Sequence, residues 1–393
     1  MKSFSKFLLS LTVAAFLSGS ADAALNFDKL VGLGVDDANR PWIAGTFDTT
    51  GDGLPDRIQM NRYTGGGADD LGFDPSGGGS ESWLDIQGGT GVDTGGGGTN
   101  NFPWFAGDRD AEPDSVRNDI TSRRYNPFTG VDQLGYGVDG AVPNVGTNQR
   151  GLGVQLATNQ RFFLGLQDQG PNNGKLLIFR INNVGGENFG TNLDTAGAGD
   201  WNPSTTSGVG LGNQNGDNLY TTQNLAFVTG VLNNGTPTIR SYSLGTGLEV
   251  GGWGVGGAGA GDFGPNVKGL GIDPAIGQPW IVGERNDGIF AARRWNPSAG
   301  TDNLGFNITS SLGDVIDVEG IGVGPNREPW VAVLLDTDAD GTEDRWGIQS
   351  YDLGGVRQVD QLLSSQFTIP EPAAIVLLGL GLVGLAGVRQ RRS

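Results

Sequence analysis

One sequence pattern recurs about six times along the chain of 393 residues. Each copy has a Gly-x-Gly stretch between apolar residues, then an apolar run with an aromatic residue, then a turn rich in Asp, Asn and Gly. Aligned on one apolar position, the copies are centred on Trp42, Trp104, Phe163, Phe227, Trp280 and Trp330. A repeat of this length is one supersecondary unit that is too small to bury a core alone, so neighbouring copies must pack together.

Every copy contains about four short runs with the composition of β-strands. The runs are rich in β-branched and aromatic residues and are separated by Gly, Pro, Asn or Asp, and no helical period is evident between the two ends of the chain. Four antiparallel strands repeated six times predict an all-β fold, a β-propeller of about six four-stranded blades over residues 24–365. Two packed sandwiches are the alternative, whereas a β-solenoid would need a shorter and stricter period.

Three glycine-rich stretches have the composition of surface loops or linkers. They span residues 76–101, 188–210 and 251–264. Within the first, residues 88–93 match part of a calcium-binding nonapeptide repeat, but the match occurs once and lacks the apolar residue. We therefore expect a linker there.

The composition excludes several kinds of chemistry. The chain has no histidine and no cysteine, which excludes Ser-His-Asp and Cys-His catalysis and removes the commonest transition-metal ligands. Its formal net charge of −18 disfavours nucleic acid as a partner and favours divalent cations. Carboxylate pairs for sugar chemistry remain possible, but among 43 acidic residues the sequence singles out no pair.

Two loops have the ligand spacing of a calcium site. Oxygen-bearing residues occupy positions one, three, five and nine of each, with Gly at position six for the turn, and both loops lie between the second and third predicted strands. The predicted ligands are Asp336, Asp338, Asp340 and Asp344 in one loop, and Asp48, Thr50, Asp52 and Asp56 in the other. A solvated acidic turn is the alternative in each case.

These loops resemble the calcium loops of FG-GAP and related integrin-type propeller repeats. The resemblance covers two of the six units and does not include that family's Phe-Gly-Gly-Ala-Pro signature. It implies calcium bound in an inter-strand loop of a blade. Position twelve holds Gln59 in one loop and Gly347 in the other instead of Glu, so a helix-flanked EF-hand is not expected.

Pairs of arginines precede an aromatic residue in the third strand of two copies, at Arg123-Arg124 and Arg293-Arg294. They could hold a carboxylate or a sugar. We favour ion-paired strand edges, because surface arginines usually pair with nearby carboxylates.

The N-terminus has the three parts of a secretory signal peptide. Lys2 and Lys6 precede an apolar run over residues 7–17, and Ala21-Asp22-Ala23 follows as a cleavage site. We assign residues 1–23 to the signal peptide, which makes signal peptidase a partner during export.

The C-terminus combines a short motif, an apolar run and a basic end. Pro370-Glu371-Pro372 precedes apolar residues 373–388, and Arg389, Arg391 and Arg392 follow. The run predicts a single transmembrane helix with a cytoplasmic C-terminus. Residues 366–393 resemble the PEP-CTERM sorting signal of Gram-negative bacteria, which implies processing by exosortase in organisms that make exopolysaccharide.

Together these features predict an exported protein. It would pass through the inner membrane and then reside at the cell surface, in the outer membrane or in the extracellular matrix. We expect a non-enzymatic propeller scaffold that binds extracellular polysaccharide and calcium. The alternative is a carbohydrate-active enzyme, a glycosidase or lyase, that uses a carboxylate pair.

Overall fold

The computed structural model describes the central part of the chain and contains strands but no helix in that part. The described residues are 29–47, 57–73, 82–85, 90–93, 102–110, 119–129, 132–137, 145–155, 160–167, 176–181, 187–193, 201, 207–211, 225–243, 246–256, 261–341 and 345–363.

The described strands form six antiparallel sheets, in chain order. The first sheet contains β1 (Lys29–Val35), β2 (Pro41–Phe47), β3 (Arg57–Tyr63) and β4 (Asp69–Phe73). The second contains β5 (Ser82–Asp85), β6 (Thr90–Asp93), β7 (Phe102–Asp110), β8 (Asp119–Tyr125) and β9 (Asp132–Gly137). The third contains β10 (Val145–Gln155), β11 (Gln160–Gln167), β12 (Leu176–Ile181) and β13 (Glu187–Asn192).

The last three sheets repeat the same four-strand order. The fourth contains β14 (Ser207–Leu211), β15 (Leu225–Val231), β16 (Pro237–Ser243) and β17 (Glu249–Gly254). The fifth contains β18 (Phe263–Ile272), β19 (Pro279–Arg285), β20 (Phe290–Asn296) and β21 (Thr301–Asn307). The sixth contains β22 (Asp314–Val323), β23 (Pro329–Asp336), β24 (Arg345–Tyr351) and β25 (Arg357–Leu362).

The six sheets close into a ring around their innermost strands. These strands are β1, β6, β10, β14, β18 and β22, each contacts the next, and β22 contacts β1. Each sheet is built from one continuous stretch of chain, so no strand is exchanged where the last sheet meets the first. The predicted all-β propeller is therefore confirmed, and residues 27–363 form one compact unit.

Neighbouring sheets pack through a repeated pair of large side chains. An aromatic residue of the third strand in one sheet shares a buried cluster with an aromatic residue of the second strand in the preceding sheet. The pairs are Tyr63 with Trp330, Tyr125 with Trp42, Tyr242 with Phe162, Trp295 with Phe227, and Tyr351 with Trp280. Truncation of a buried aromatic side chain to Ala typically costs about 3–5 kcal/mol, so these pairs stabilise the contacts between sheets.

Strand register corrects one of the six aligned positions. The second glycine of each Gly-x-Gly lies opposite Trp42, Trp104, Phe162, Phe227, Trp280 and Trp330. Phe162 therefore takes the repeated position, and the predicted Phe163 is wrong by one residue. Since successive residues of a strand point to opposite faces, Phe163 instead stacks on Phe179 with ring centroids 5.0 Å apart.

The three glycine-rich stretches are not simply linkers. Residues 76–101 contain β5 and β6, and β6 is the innermost strand of the second sheet, formed by the segment expected to be a linker. Residues 188–210 contain most of β13, the buried Trp201 and the start of β14, while 251–264 contain the end of β17. Glycine lets inner strands approach closely: a Cβ on Gly269 would lie 2.9 Å from the Gly320 Cα of the next sheet.

The signal peptide at 1–23 and the apolar run at 373–388 lie outside the described residues. Within the part of the chain that the structure describes, no helix has the length and apolar character needed to cross a membrane.

Candidate functional site

The acidic loop that follows β23 is organised around the buried Asp336. One carboxylate oxygen of Asp336 accepts a hydrogen bond of 2.7 Å from the Ala339 amide, and the other accepts one of 2.8 Å from the Gly341 amide. Ala339 and Gly341 adopt left-handed backbone conformations, with φ of 62° and 86°. Gly is suited to such a conformation, which explains why this position of the loop sequence holds Gly341.

This loop brings three of its predicted ligands together. One carboxylate oxygen from each of Asp336, Asp338 and Asp340 can be chosen so that all three lie within 4.8 Å of one another. Oxygen ligands at 2.3–2.6 Å from a calcium ion have separations of about this size. Asp338 and Asp340 are exposed, so their charge is available to an ion from solvent. The donor set is therefore suited to a hard divalent cation.

The remaining predicted ligands cannot be placed. Asp344 lies outside the described residues, and so do Asp48, Thr50, Asp52 and Asp56. The flanking strands show that both loops connect the second strand to the third, β2 to β3 in one sheet and β23 to β24 in the other. The two loops thus occupy equivalent points of the repeat, as the sequence predicted.

A charged cluster that the sequence did not reveal joins the fifth and sixth sheets. Asp273, which is completely buried, lies 3.3 Å from Arg294 Nη1 and 3.0 Å from Arg327 Nε. Burial lowers the pKa of Arg294, and the carboxylate of Asp273 opposes this effect. Arg327 belongs to the next sheet, so the cluster is a structural clamp between blades. Its only sequence signal is an Asp directly after the Gly-x-Gly strand.

Asp36 occupies the equivalent position in the first sheet. Its carboxylate accepts hydrogen bonds from Arg40 Nε at 2.8 Å and from the Trp42 indole nitrogen at 3.3 Å. In the same sheet, Arg62 Nε donates to Asp70 at 2.6 Å, and the Arg62 guanidinium lies 5.2 Å from the centre of the Trp42 ring. These contacts fix the turn after β1 and the aromatic residue of β2.

The arginine pair of the fifth sheet is ion-paired, as we favoured. Arg293 Nη1 lies 2.6 Å from Asp302, and Arg294 donates to Asn303 as well as to Asp273. These guanidinium groups are thus occupied within the sheet and the clamp.

Comparison with known proteins identifies the C-terminal segment. Residues 368–392 match the family model of the PEP-CTERM protein-sorting motif. The chain carries this sorting motif. It is therefore an exported protein of the kind that exosortase processes, directed to the surface or exterior of Gram-negative bacteria. No curated protein matches the chain.

Solved structures similar to the chain are propellers with little sequence identity. AofleA from Arthrobotrys oligospora is 10% identical, with 87% of this chain and 88% of that chain covered and a TM-score of 0.53. The N224Q mutant of the Aleuria aurantia lectin AAL, in complex with Fucα1-6GlcNAc, is 9% identical, with coverage of 88% and 99% and a TM-score of 0.54. At this identity the likeness shows the fold alone.

Proposed function

We propose that the protein is a non-enzymatic surface scaffold that binds extracellular polysaccharide and is stabilised by calcium. The sorting motif at 368–392, following a closed propeller, is the observation that carries this proposal. Exosortase substrates are expected in bacteria that export polysaccharide, and a rigid ring with many surface turns is suited to holding a polymer.

The contacts of three buried carboxylates support a role without catalysis. Asp36 is held by Arg40, Asp273 by two arginines, and Asp336 by two backbone amides. A catalytic pair for sugar hydrolysis needs one carboxyl group that keeps a proton and faces a second across the substrate. The carboxylate oxygens of Asp36, Asp273 and Asp336 are instead engaged by ion pairs or hydrogen bonds within the fold.

A saccharide ligand is suggested by one structural neighbour. The lectin from Aleuria aurantia holds Fucα1-6GlcNAc on a similar fold. Because identity is 9%, the ligand of that lectin indicates a class, saccharides, and no particular sugar for this chain.

The binding proposal is tested with the purified exported protein and exopolysaccharide from the producing cells. We expect the protein to co-sediment with the polymer and the polymer to keep its length. Absence of binding to both neutral and acidic polysaccharides would contradict the proposal. Shortening of the polymer by the protein would favour the carbohydrate-active enzyme.

The calcium part of the proposal rests on the loop around Asp336. We expect calcium to raise the melting temperature, chelator to lower it, and Asp338→Asn to reduce the calcium response. Asp338 is exposed and accepts a long hydrogen bond of 3.3 Å from the Asp340 amide within the loop, and Asn keeps an oxygen acceptor there, so the substitution should leave the calcium-free protein nearly unchanged. Asp37→Asn, at an exposed aspartate in a turn outside the acidic loop, is the matched control. Identical melting in calcium and in chelator would refute a calcium site.

A further inference from the structure

The turn between β15 and β16 carries the pair Asn234-Gly235, which is exposed at the tip of a hairpin. The Leu232 amide donates to the Thr236 carbonyl at 2.9 Å, and the Gly235 amide donates to the Leu232 carbonyl at 2.8 Å. Gly235 has φ of 83°, the left-handed conformation that closes a three-residue hairpin loop. The turn therefore presents an asparagine directly before a glycine on the surface of the ring.

An asparagine in this position can react with the backbone that follows it. The amide nitrogen of the next residue attacks the side-chain Cγ: a bond from that nitrogen to Cγ forms, the bond from Cγ to Nδ2 breaks, and ammonia leaves with the proton of the attacking amide. Water then opens the five-membered imide at either of its two carbonyl groups, which leaves aspartate or isoaspartate. A side chain on the following residue would obstruct the ring, so glycine, which has no Cβ, permits the attack best.

The surroundings of Gly235 leave room for this reaction. A Cβ built on Gly235 would have no heavy atom within 4 Å beyond its chain neighbours, so the imide ring does not collide with another part of the fold. Asn234 is exposed, so the water that opens the ring reaches it from solvent. Neither packing nor burial therefore prevents the reaction at this turn.

The turn also polarises the group that is attacked. The Thr236 amide donates a hydrogen bond of 3.0 Å to Asn234 Oδ1. This oxygen gains negative charge as the nitrogen of Gly235 adds to Cγ, and a donor that already points at it stabilises the charge as it develops. The hydrogen bond that shapes the turn thus lowers the barrier to the attack.

One contact of the turn opposes the reaction. The Gly235 amide must leave the Leu232 carbonyl before its nitrogen can attack. This hydrogen bond lies at the tip of an exposed hairpin, where local opening requires far less free energy than unfolding of the ring. Opening a single hydrogen bond of this kind slows a reaction by about tenfold. The fold therefore retards the reaction without preventing it.

The fifth sheet shows that an aspartate is compatible with this turn. At the equivalent point between β19 and β20, the chain has Asp287-Gly288. The Gly288 amide donates to the Arg285 carbonyl at 2.9 Å, and Gly288 has φ of 78°. Asp287 Oδ1 accepts a hydrogen bond of 3.3 Å from the Ile289 amide, as Asn234 Oδ1 does in its own turn. Conversion of the asparagine to aspartate therefore keeps the contacts of the turn.

We propose that Asn234 is a site of spontaneous deamidation in the exported protein, through an imide formed with Gly235. Each conversion adds a negative charge to the turns between second and third strands, where Asp287, Asp338 and Asp340 are already exposed. The isoaspartate product also adds a carbon atom to the backbone at the tip of the hairpin. The modification requires water alone and is independent of polysaccharide and calcium binding.

The test follows the purified exported protein during storage at neutral and at mildly alkaline pH. Peptide mapping by mass spectrometry measures the fraction of Asn234 converted to aspartate and isoaspartate. We expect both products, formed faster at alkaline pH because the deprotonated amide nitrogen attacks. In denaturant the conversion should be about tenfold faster, since the hydrogen bond of the Gly235 amide is lost. Asn233, in the same turn but followed by Asn234, is the internal control and should stay intact.

Three variants complete the experiment. Gly235→Ala should slow the conversion of Asn234 by about tenfold or more, because its Cβ obstructs the ring. Asn234→Gln should remove the conversion, since a six-membered imide forms much more slowly. Asn234→Asp should melt like the wild type. Thermal melting shows that each variant is folded. Asn234 that stays intact in the folded protein while the unfolded protein is converted would overturn the proposal, and so would a rate that Gly235→Ala leaves unchanged.

Discussion

Asn39 donates a hydrogen bond of 2.6 Å from its side-chain nitrogen to Glu328, joining the first sheet to the last. Next to it, Tyr63 and Trp330 share one buried cluster. The two sheets are far apart in sequence, and no strand crosses between them. Closure of the ring therefore depends on side-chain packing at this joint, which makes it the place where substitutions report on the ring itself.

Substitution of Gly67 tests the contact between the first and the last sheet directly. It has φ of +83°, and a Cβ there would lie 2.5 Å from Val359 Cγ1 in the last sheet. Gly235 has the same φ of +83° but nothing within 4 Å. Gly235→Ala should cost about 1 kcal/mol, from the left-handed conformation alone. Gly67→Ala should cost about 2–4 kcal/mol, because overpacking adds to that strain. Equal losses in denaturant unfolding would show that the joint is loose.

The indole nitrogens of Trp42 and Trp330 should contribute differently to the free energy of unfolding. Trp42 Nε1 donates to the buried Asp36, whereas Trp330 Nε1 has no hydrogen-bond partner among the described residues; Gly324 stands where the first sheet has Asp36. Trp42→Phe should therefore destabilise more than Trp330→Phe, by about 1–2 kcal/mol beyond the shared loss of packing. Chemical denaturation of both variants measures this difference, and the reverse order would contradict it.

The ion pairs of the buried Asp273 should stabilise the folded protein more than a surface ion pair does. Asp273→Ala leaves Arg294 and Arg327 without their buried partner, so we expect a loss of about 3 kcal/mol in the free energy of unfolding. Asp302→Ala removes an exposed partner of Arg293 and should cost less than about 1 kcal/mol. If the two variants melt alike, the buried carboxylate does not hold the fifth and sixth sheets together.

Two buried tyrosines should make the ring sensitive to alkali. Burial raises the pKa of Tyr242 to about 12 and that of Tyr351 to about 12. An unfolded tyrosine titrates near pH 10, so the stability from each protonated side chain is complete below about pH 10 and is lost as the pH rises toward 12. The loss is up to about 2–3 kcal/mol for each tyrosine.

Tyr242→Phe isolates one of these contributions. The variant should be less stable at neutral pH, because Trp201 Nε1 loses its acceptor at 2.8 Å. Its stability should then fall less steeply than that of the wild type between pH 10 and 12. Parallel pH profiles for the two proteins would show that Tyr242 ionises freely in the folded state.

The part of the candidate site that lies within one loop could be predicted from the sequence. Asp336, Asp338 and Asp340 converge because one loop of regular spacing places them together, and a turn of that kind can be read from neighbouring residues. The Asp273 clamp could not be predicted, since Arg327 comes from the next sheet. The sequence does not distinguish Phe162 from Phe163 as the repeated position, because both are large and apolar. Strand register, which depends on the partner strand, assigns it to Phe162.

By itself the sequence determined the local elements and the destination of the chain: short strands bounded by turns, a repeated aromatic position, the acidic loop and the sorting motif. These depend on neighbouring residues and on recognition of a linear segment. The tertiary structure decided that glycine-rich segments such as Thr90–Asp93 become inner strands, that Tyr63 shares a buried cluster with Trp330, and that Asp273 meets Arg327 of the next sheet. Each of these depends on which strands become neighbours when the ring closes, and that is a property of the whole chain.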